Sequence, residues 1–353
     1  MRILKTAIAI WSVVSVVSAA PVSSRRADEL PDGLPYPSPS ELELIEQTAR
    51  GTLPNGPSPP VISSPGILSL QLIAFNELFE VAFFNDLLAN ITKSVMGYRF
   101  QDSGDRDFVI KSLRAILAQE ELHAISANNG LVHFDVQPIE PCLYKFPVHD
   151  FDSAIALAST FTDVALGTLQ DVVERFALGH DVDLAREISA VIGQEGEQQG
   201  WYRVMQGKIP SALPFLTTSD LNFAFTAIQE FTVPGTCPNI NQIPLRTFER
   251  LNVLTPPTAR SQNLTFSFQD AGNETEHLLW MTYINQLNLP IVEPLHVMSR
   301  NGSYVEAQAL FPYDDHEMNG LTVAAVTKSD GPFGDANTVA KWTLAGPGLI
   351  EVN

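Results

Sequence analysis

The chain has 353 residues, enough to bury a sizeable core in about two domains, and its 40 acidic residues against 21 basic ones leave a net charge of −19. That balance argues against partners presenting a phosphate backbone or an anionic lipid surface, so neither nucleic acid nor membrane is expected. At the start, Arg2 and Lys5 precede the apolar run Ala7 to Val17 and the small residues Ser18-Ala19-Ala20. Residues 1–20 therefore read as a signal peptide, too short in its apolar part to span a bilayer. Arg25-Arg26 is open between a dibasic processing site and two solvated charges.

Export makes other features legible. Asn90, Asn263, Asn273 and Asn301 each begin a glycosylation sequon. The two cysteines, Cys142 and Cys237, are expected to form a disulfide in an oxidising compartment. The protein is thus expected to be an extracellular glycoprotein, free or in a cell wall.

Residues 21–65 are rich in Pro and Ser and read as an extended leader with one helical patch near Glu41 to Arg50. Within 66–211 follow four long helical patterns, over about 67–95, 104–129, 152–178 and 183–206, none with an interior proline. Gly130, Gly179 and Gly207 are expected just past the ends of the last three, as left-handed caps. Short links make the first and second, and the third and fourth, antiparallel hairpins. The longer segment between the hairpins, with Pro138, Pro141 and Pro147, can reach the whole length of a bundle. Residues 212–254 read as a connector with a helical piece near Ser219 to Glu230. Residues 255–353 carry strand-like runs at 263–268, 303–310, 321–327 and 338–344 separated by turn-rich text, which predicts a small antiparallel β-sandwich. The segment 277–289 is open between helix and strand. The fold class is α+β, with more than one domain.

The hairpins bring particular polar residues to one level. With turns near residues 101 and 180, Glu77 lies level with Glu120 and His123, and Thr162 with Glu195 and Gln198, to within about one turn. Glu120 and His123 share a helix face, as do Glu195 and Gln198. Glu77 and Glu80 sit on a helix apolar almost all round, so they are expected to be buried, and buried carboxylates need a proton, a partner or a metal. Glu80 and Glu121 are expected to be solvated, hydrogen-bonded or turned to the leader rather than to serve as ligands.

The runs NELFEVAFF, EELHA, FTDVALGTLQ and QEGEQQGWYR resemble the four core-helix segments of a ferritin-like family, which includes plant desiccation-related proteins and secreted fungal proteins of stress response or late sexual development. CLYKFPV and FTVPGTCP are similar to the fungal branch. The resemblance covers about residues 65–240 and implies a ferritin-like four-helix bundle with one long crossover and a carboxylate site at its centre. Carried over by position, Glu77, Glu120, His123 and Glu195 are the candidate metal ligands, with Fe or Mn as the implied ions. Thr162 and Gln198 stand where the pattern has Glu and His, and Asp163 is turned away from the site by about 100°.

Three readings of the cluster follow: a metal-free polar core, one bound ion, or a two-metal oxidase, peroxidase or catalase-like site. The two replaced positions favour the first, a degenerate non-catalytic site in a secreted protein with a stress- or development-related role. The alternatives are a metal-dependent oxidoreductase acting on peroxide or dioxygen, and a cell-wall or matrix binding protein. No catalytic residue is identified, and no cofactor is firmly implied.

Overall fold

The computed structural model describes residues 33–272, Glu274 and 278–353. The expected signal peptide, Arg25-Arg26 and the Asn273 sequon lie outside the described residues. Helix α1 (Pro39–Ala49) is the helical patch of the leader. It begins on a reciprocal cap in which Ser38 accepts from the Glu41 backbone and Glu41 accepts from that of Ser38, and it packs along α3.

The four long patterns are α2 (Ser64–Thr92), α3 (Ser103–His133), α4 (Phe151–Leu178) and α5 (Val182–Met205). Side-chain pairs fix their directions. Leu70 lies against Gly130, Glu77 meets His123, and Arg106 donates to the Thr92 carbonyl, so α2 and α3 are antiparallel. Gln194 donates to Gln119 and Ser126 donates to Glu187, so α3 and α5 are antiparallel. Phe83 packs on Phe161 while Ile73 and Leu169 line one cleft, so α2 and α4 are antiparallel. Helices α3 and α4 therefore run the same way, and residues 134–150 must travel the length of the bundle between them. That segment leaves α3 beside Asn128, which donates to the Ile139 carbonyl, and arrives where Phe151 N–H donates to Gly97.

Two of the expected caps are corrected. Gly130 is inside α3, which continues to His133, and a Cβ there would stand 3.2 Å from Leu70 Cδ1. Its smallness lets α2 approach. Gly179 ends α4 at φ −77, while His180 takes the left-handed conformation at φ 64. Gly207 does have φ +70.

Helix α2 is long and apolar enough to cross a bilayer, but 78% of its most apolar stretch is buried inside the protein. Its rings make the core. Phe83 meets Phe161 of α4 at 4.9 Å and Phe146 of the crossover at 5.1 Å. Each such ring contributes on the order of 2–3 kcal/mol by leaving water. After α6 (Leu221–Gln229), Cys237 is bonded to Cys142 and clamps the connector to the crossover.

The C-terminal part consists of two four-stranded antiparallel sheets. One has the order β1 (Asn252–Val253), β2 (Gln262–Gln269), β6 (Tyr304–Phe311), β5 (His296–Asn301). The other has the order β4 (Ile291–Pro294), β3 (Trp280–Asn285), β7 (Gly320–Thr327), β8 (Thr343–Val352). They close on one core, in which Phe266 and Phe311 face Tyr283, Val326 and Ile350. A short helix α7 (Tyr313–His316) follows β6.

Strand β7 is buried throughout because its faces serve two cores. Ala324 and Val326 enter the space between the sheets, and Leu321, Val323 and Ala325 join the helical core. The ambiguous segment 277–289 contains strand β3 among its described residues. The expected strand at 338–344 is a correction: helix α8 (Ala336–Trp342) comes first, started by Asp335, which accepts from Thr338 N–H at 2.6 Å, and β8 begins only at Thr343.

Candidate metal centre

Helix α2 delivers Glu77 and Glu80 one turn apart on an apolar helix, α3 delivers Glu120 and His123, α5 delivers Glu195 and Gln198, and α4 delivers Thr162. All but His123 are buried, and 16% of the His123 side chain is exposed. One ligand atom from each of Glu77, Glu120, His123 and Glu195 lies within 4.8 Å of all the others. Three helices far apart in sequence thus bring their polar groups to one point.

His123 Nδ1 faces the carboxylates, 3.0 Å from Glu120 Oε2 and 3.5 Å from Glu77 Oε2. Gln198 donates through Nε2 to Glu120 Oε1 at 2.6 Å and to Gln119 Oε1 at 3.3 Å, and its own oxygen accepts from Tyr202 Oη at 3.1 Å. The amide oxygen is Gln198's one potential metal ligand, and it accepts the Tyr202 hydroxyl instead of joining the converging ligands. Thr162 is wholly buried with no partner for its hydroxyl, and it is not among the converging ligands. Asp163 faces away from the cluster, as its position on α4 predicts, and accepts from Gln199 at 2.6 Å.

Glu195 differs from its neighbours. Among the described residues, neither of its carboxyl oxygens has a hydrogen-bond partner, although the residue is fully buried. Burial lifts its pKa well above the usual carboxylate range, and the charges of Glu77 and Glu120 lift it further. Glu77 is pushed up to about 7 by burial, against the pull of His123. His123 would lose its proton on burial alone, but the Glu120 and Glu77 carboxylates outweigh that and raise it well above the ordinary imidazole value.

Glu80 and Glu121 are buried, to 1% and 2% exposure, and neither is among the converging ligands. Glu80 accepts from Asn76 at 2.8 Å, and burial with the charges of Glu120, Glu195 and Glu77 raises its pKa. The burial of Glu80 is legible in the all-round apolarity of α2, which leaves no solvent face for a carboxylate. Tyr202 is fully buried, and its hydroxyl completes the Gln198 contact, which sequence spacing does not reveal.

The donor set suits an oxygen-preferring or borderline divalent ion, with three carboxylates and one imidazole. Two donors each about 2.1 Å from one ion lie at most about 4.2 Å apart, so a separation as wide as 4.8 Å would have to shrink by about 0.6 Å or more for all four to reach one ion. No protein-family model matches this chain, and a search of curated proteins returned no match. The remaining sequons are on different surfaces: Asn263 and Asn301 are exposed, and Asn90 is half-buried in the last turn of α2.

Proposed function

We propose that this is a secreted, ferritin-like protein that holds one divalent cation, Fe or Mn by class, between Glu77, Glu120, His123 and Glu195. The single observation carrying the reading is Glu195, whose two buried oxygens have no donor among the described residues. Protonation would remove its charge, but it would leave one oxygen without a donor and the new hydroxyl without an acceptor. A cation shared with Glu77 and Glu120 satisfies all three carboxylates at once.

The two-hairpin connectivity with a long crossover supports the ferritin-like assignment, and the disulfide between Cys142 and Cys237 fits an extracellular protein. Thr162 and the engaged amide of Gln198 leave too few ligands for a symmetric metal pair. When bound, the ion would supply Lewis acidity or one-electron chemistry. The chain's own part is to hold three carboxylates in a dry site and to keep Glu120 oriented through Gln198. A stress- or development-related role belongs to the same proposal and rests on the sequence resemblance.

Elemental analysis of untagged protein from its native secretion tests the site. About one Fe or Mn per chain is expected, falling to background in the Glu120→Ala/His123→Ala variant. A metal-free wild type that takes up no Mn(II) on dialysis would overturn the reading.

A further inference from the structure

Away from the metal cluster, the connector before β1 and the α8–β8 junction flank an open cleft of about 450 Å³ lined by Arg246, Phe248, Glu249, Lys328, Lys341 and Trp342. Its two walls are locked together, because Glu249 pairs with Ala345 and Gly346 N–H donates to the Glu249 carbonyl at 2.8 Å. Arg246 is held in place by the Phe248 ring, 5.1 Å from its guanidinium carbon, and by the Lys341 carbonyl at 3.4 Å.

Charge at this cavity runs against the rest of the chain. Acidic residues outnumber basic ones 40 to 21, yet among the described residues neither Arg246 nor Lys341 has a carboxylate ion-pair partner. Lys328 is engaged by Glu274 at 2.8 Å, and Glu249 adds one negative charge, so Arg246 and Lys341 are the cations left to meet a ligand. Trp342 lines the same cavity with 49% of its surface exposed, an indole face that the sheet core does not use.

We propose that this cavity binds an acidic sugar, a uronate unit of a polysaccharide. A fixed guanidinium and an ammonium recognise a carboxylate, the guanidinium in bidentate fashion. An exposed indole offers a flat apolar surface for the C–H face of a pyranose ring, with a polar edge for its hydroxyls. The cavity falls in the size range of small-molecule sites. The net charge of −19 disfavours any densely charged chain, polyphosphate or polyuronate alike, so recognition is confined to a single carboxylated ring, which needs only the local cations. The proposal is independent of the metal site.

The test is a titration of the full mature protein, treated with chelator, by calorimetry and tryptophan fluorescence. The probes are trigalacturonate, the neutral maltotriose and inorganic phosphate. Trigalacturonate is expected to bind saturably and more weakly as salt rises, with maltotriose silent. Trp342→Ala and the pair Arg246→Ala/Lys341→Ala are each expected to weaken it by about tenfold or more. These side chains are exposed, so the variants should fold, and an unchanged melting curve checks that. No saturable binding, or binding indifferent to both variants, overturns the proposal. Phosphate binding as tightly as trigalacturonate, with Trp342→Ala without effect, overturns it in favour of a plain anion site.

Discussion

Glu120 and Glu195 occupy neighbouring helices at the same depth, yet Glu120 is held by Gln198 and His123 while both oxygens of Glu195 are without a donor. Replacing Glu195 with Gln removes a buried acid whose charged form costs several kcal/mol. In metal-free protein at pH 8, Glu195→Gln is expected to raise stability by about 1–3 kcal/mol. The same substitution should weaken Mn(II) binding on the order of 100-fold. Thermal melts with and without Mn(II) read both effects, and a variant still stabilised by Mn(II) like wild type contradicts the ligand role. The level positions of Glu77, Glu120, His123 and Glu195 were legible because helical rise and hairpin symmetry are nearly fixed. Hydrogen bonding was not: rotamers alone decide that Gln198 turns its oxygen to Tyr202, or that Asp163 pairs with Gln199.

Helix α4 carries two contacts beyond the bundle, one to the connector and one to α8. Gly167 lies where a Cβ would stand 2.3 Å from the Thr217 carbonyl, and its own carbonyl accepts from Ser219 N–H at 3.1 Å. Gly167→Val is expected to cost about 1–3 kcal/mol or more through overpacking, measured as a fall in denaturant midpoint. Asp171 is buried, accepts from Arg175 at 2.7 Å and from Asn337 of α8 at 2.7 Å, and Arg175 also donates to Asn337. Asp171→Ala leaves Arg175 without its nearest carboxylate and should cost about 3–5 kcal/mol; a loss below about 1 kcal/mol would show that the network is dispensable. The long helices were readable from periodicity and the lack of interior proline. Strand β5, exposed along its length, shows no alternation to read, and the β-branched text at 338–344 concealed a short helix that only its Asp335 cap marks.

Across the whole molecule, the last strand returns to the bundle. Glu351 of β8 lies by Asp163 of α4, with Arg203 and Lys208 acting on both and Gln199 bonded to Asp163. Burial lifts Asp163 up to about 7, against Arg203, and lifts Glu351 well above its usual value, with the charge of Asp163 adding to it. The folded protein therefore keeps protons that the unfolded chain releases above about pH 4. Their contribution is complete below that pH and is lost as pH rises toward 7, by up to about 1.4 kcal/mol per pH unit for each group. Melting temperature should fall over that window in chelated protein, and Asp163→Asn should flatten the fall; an unchanged slope contradicts this origin. Sequence reading separated helices from sheets because their periodicities differ. It could not show that β7 and β8 pack on α4 and α6, since contacts between distant segments leave no local pattern. On the proposal that four side chains from three helices enclose a single cation, anomalous diffraction from Mn(II)-soaked crystals should show one peak per chain, bounded by Glu77, Glu120, His123 and Glu195. Two peaks there, or none, would overturn it.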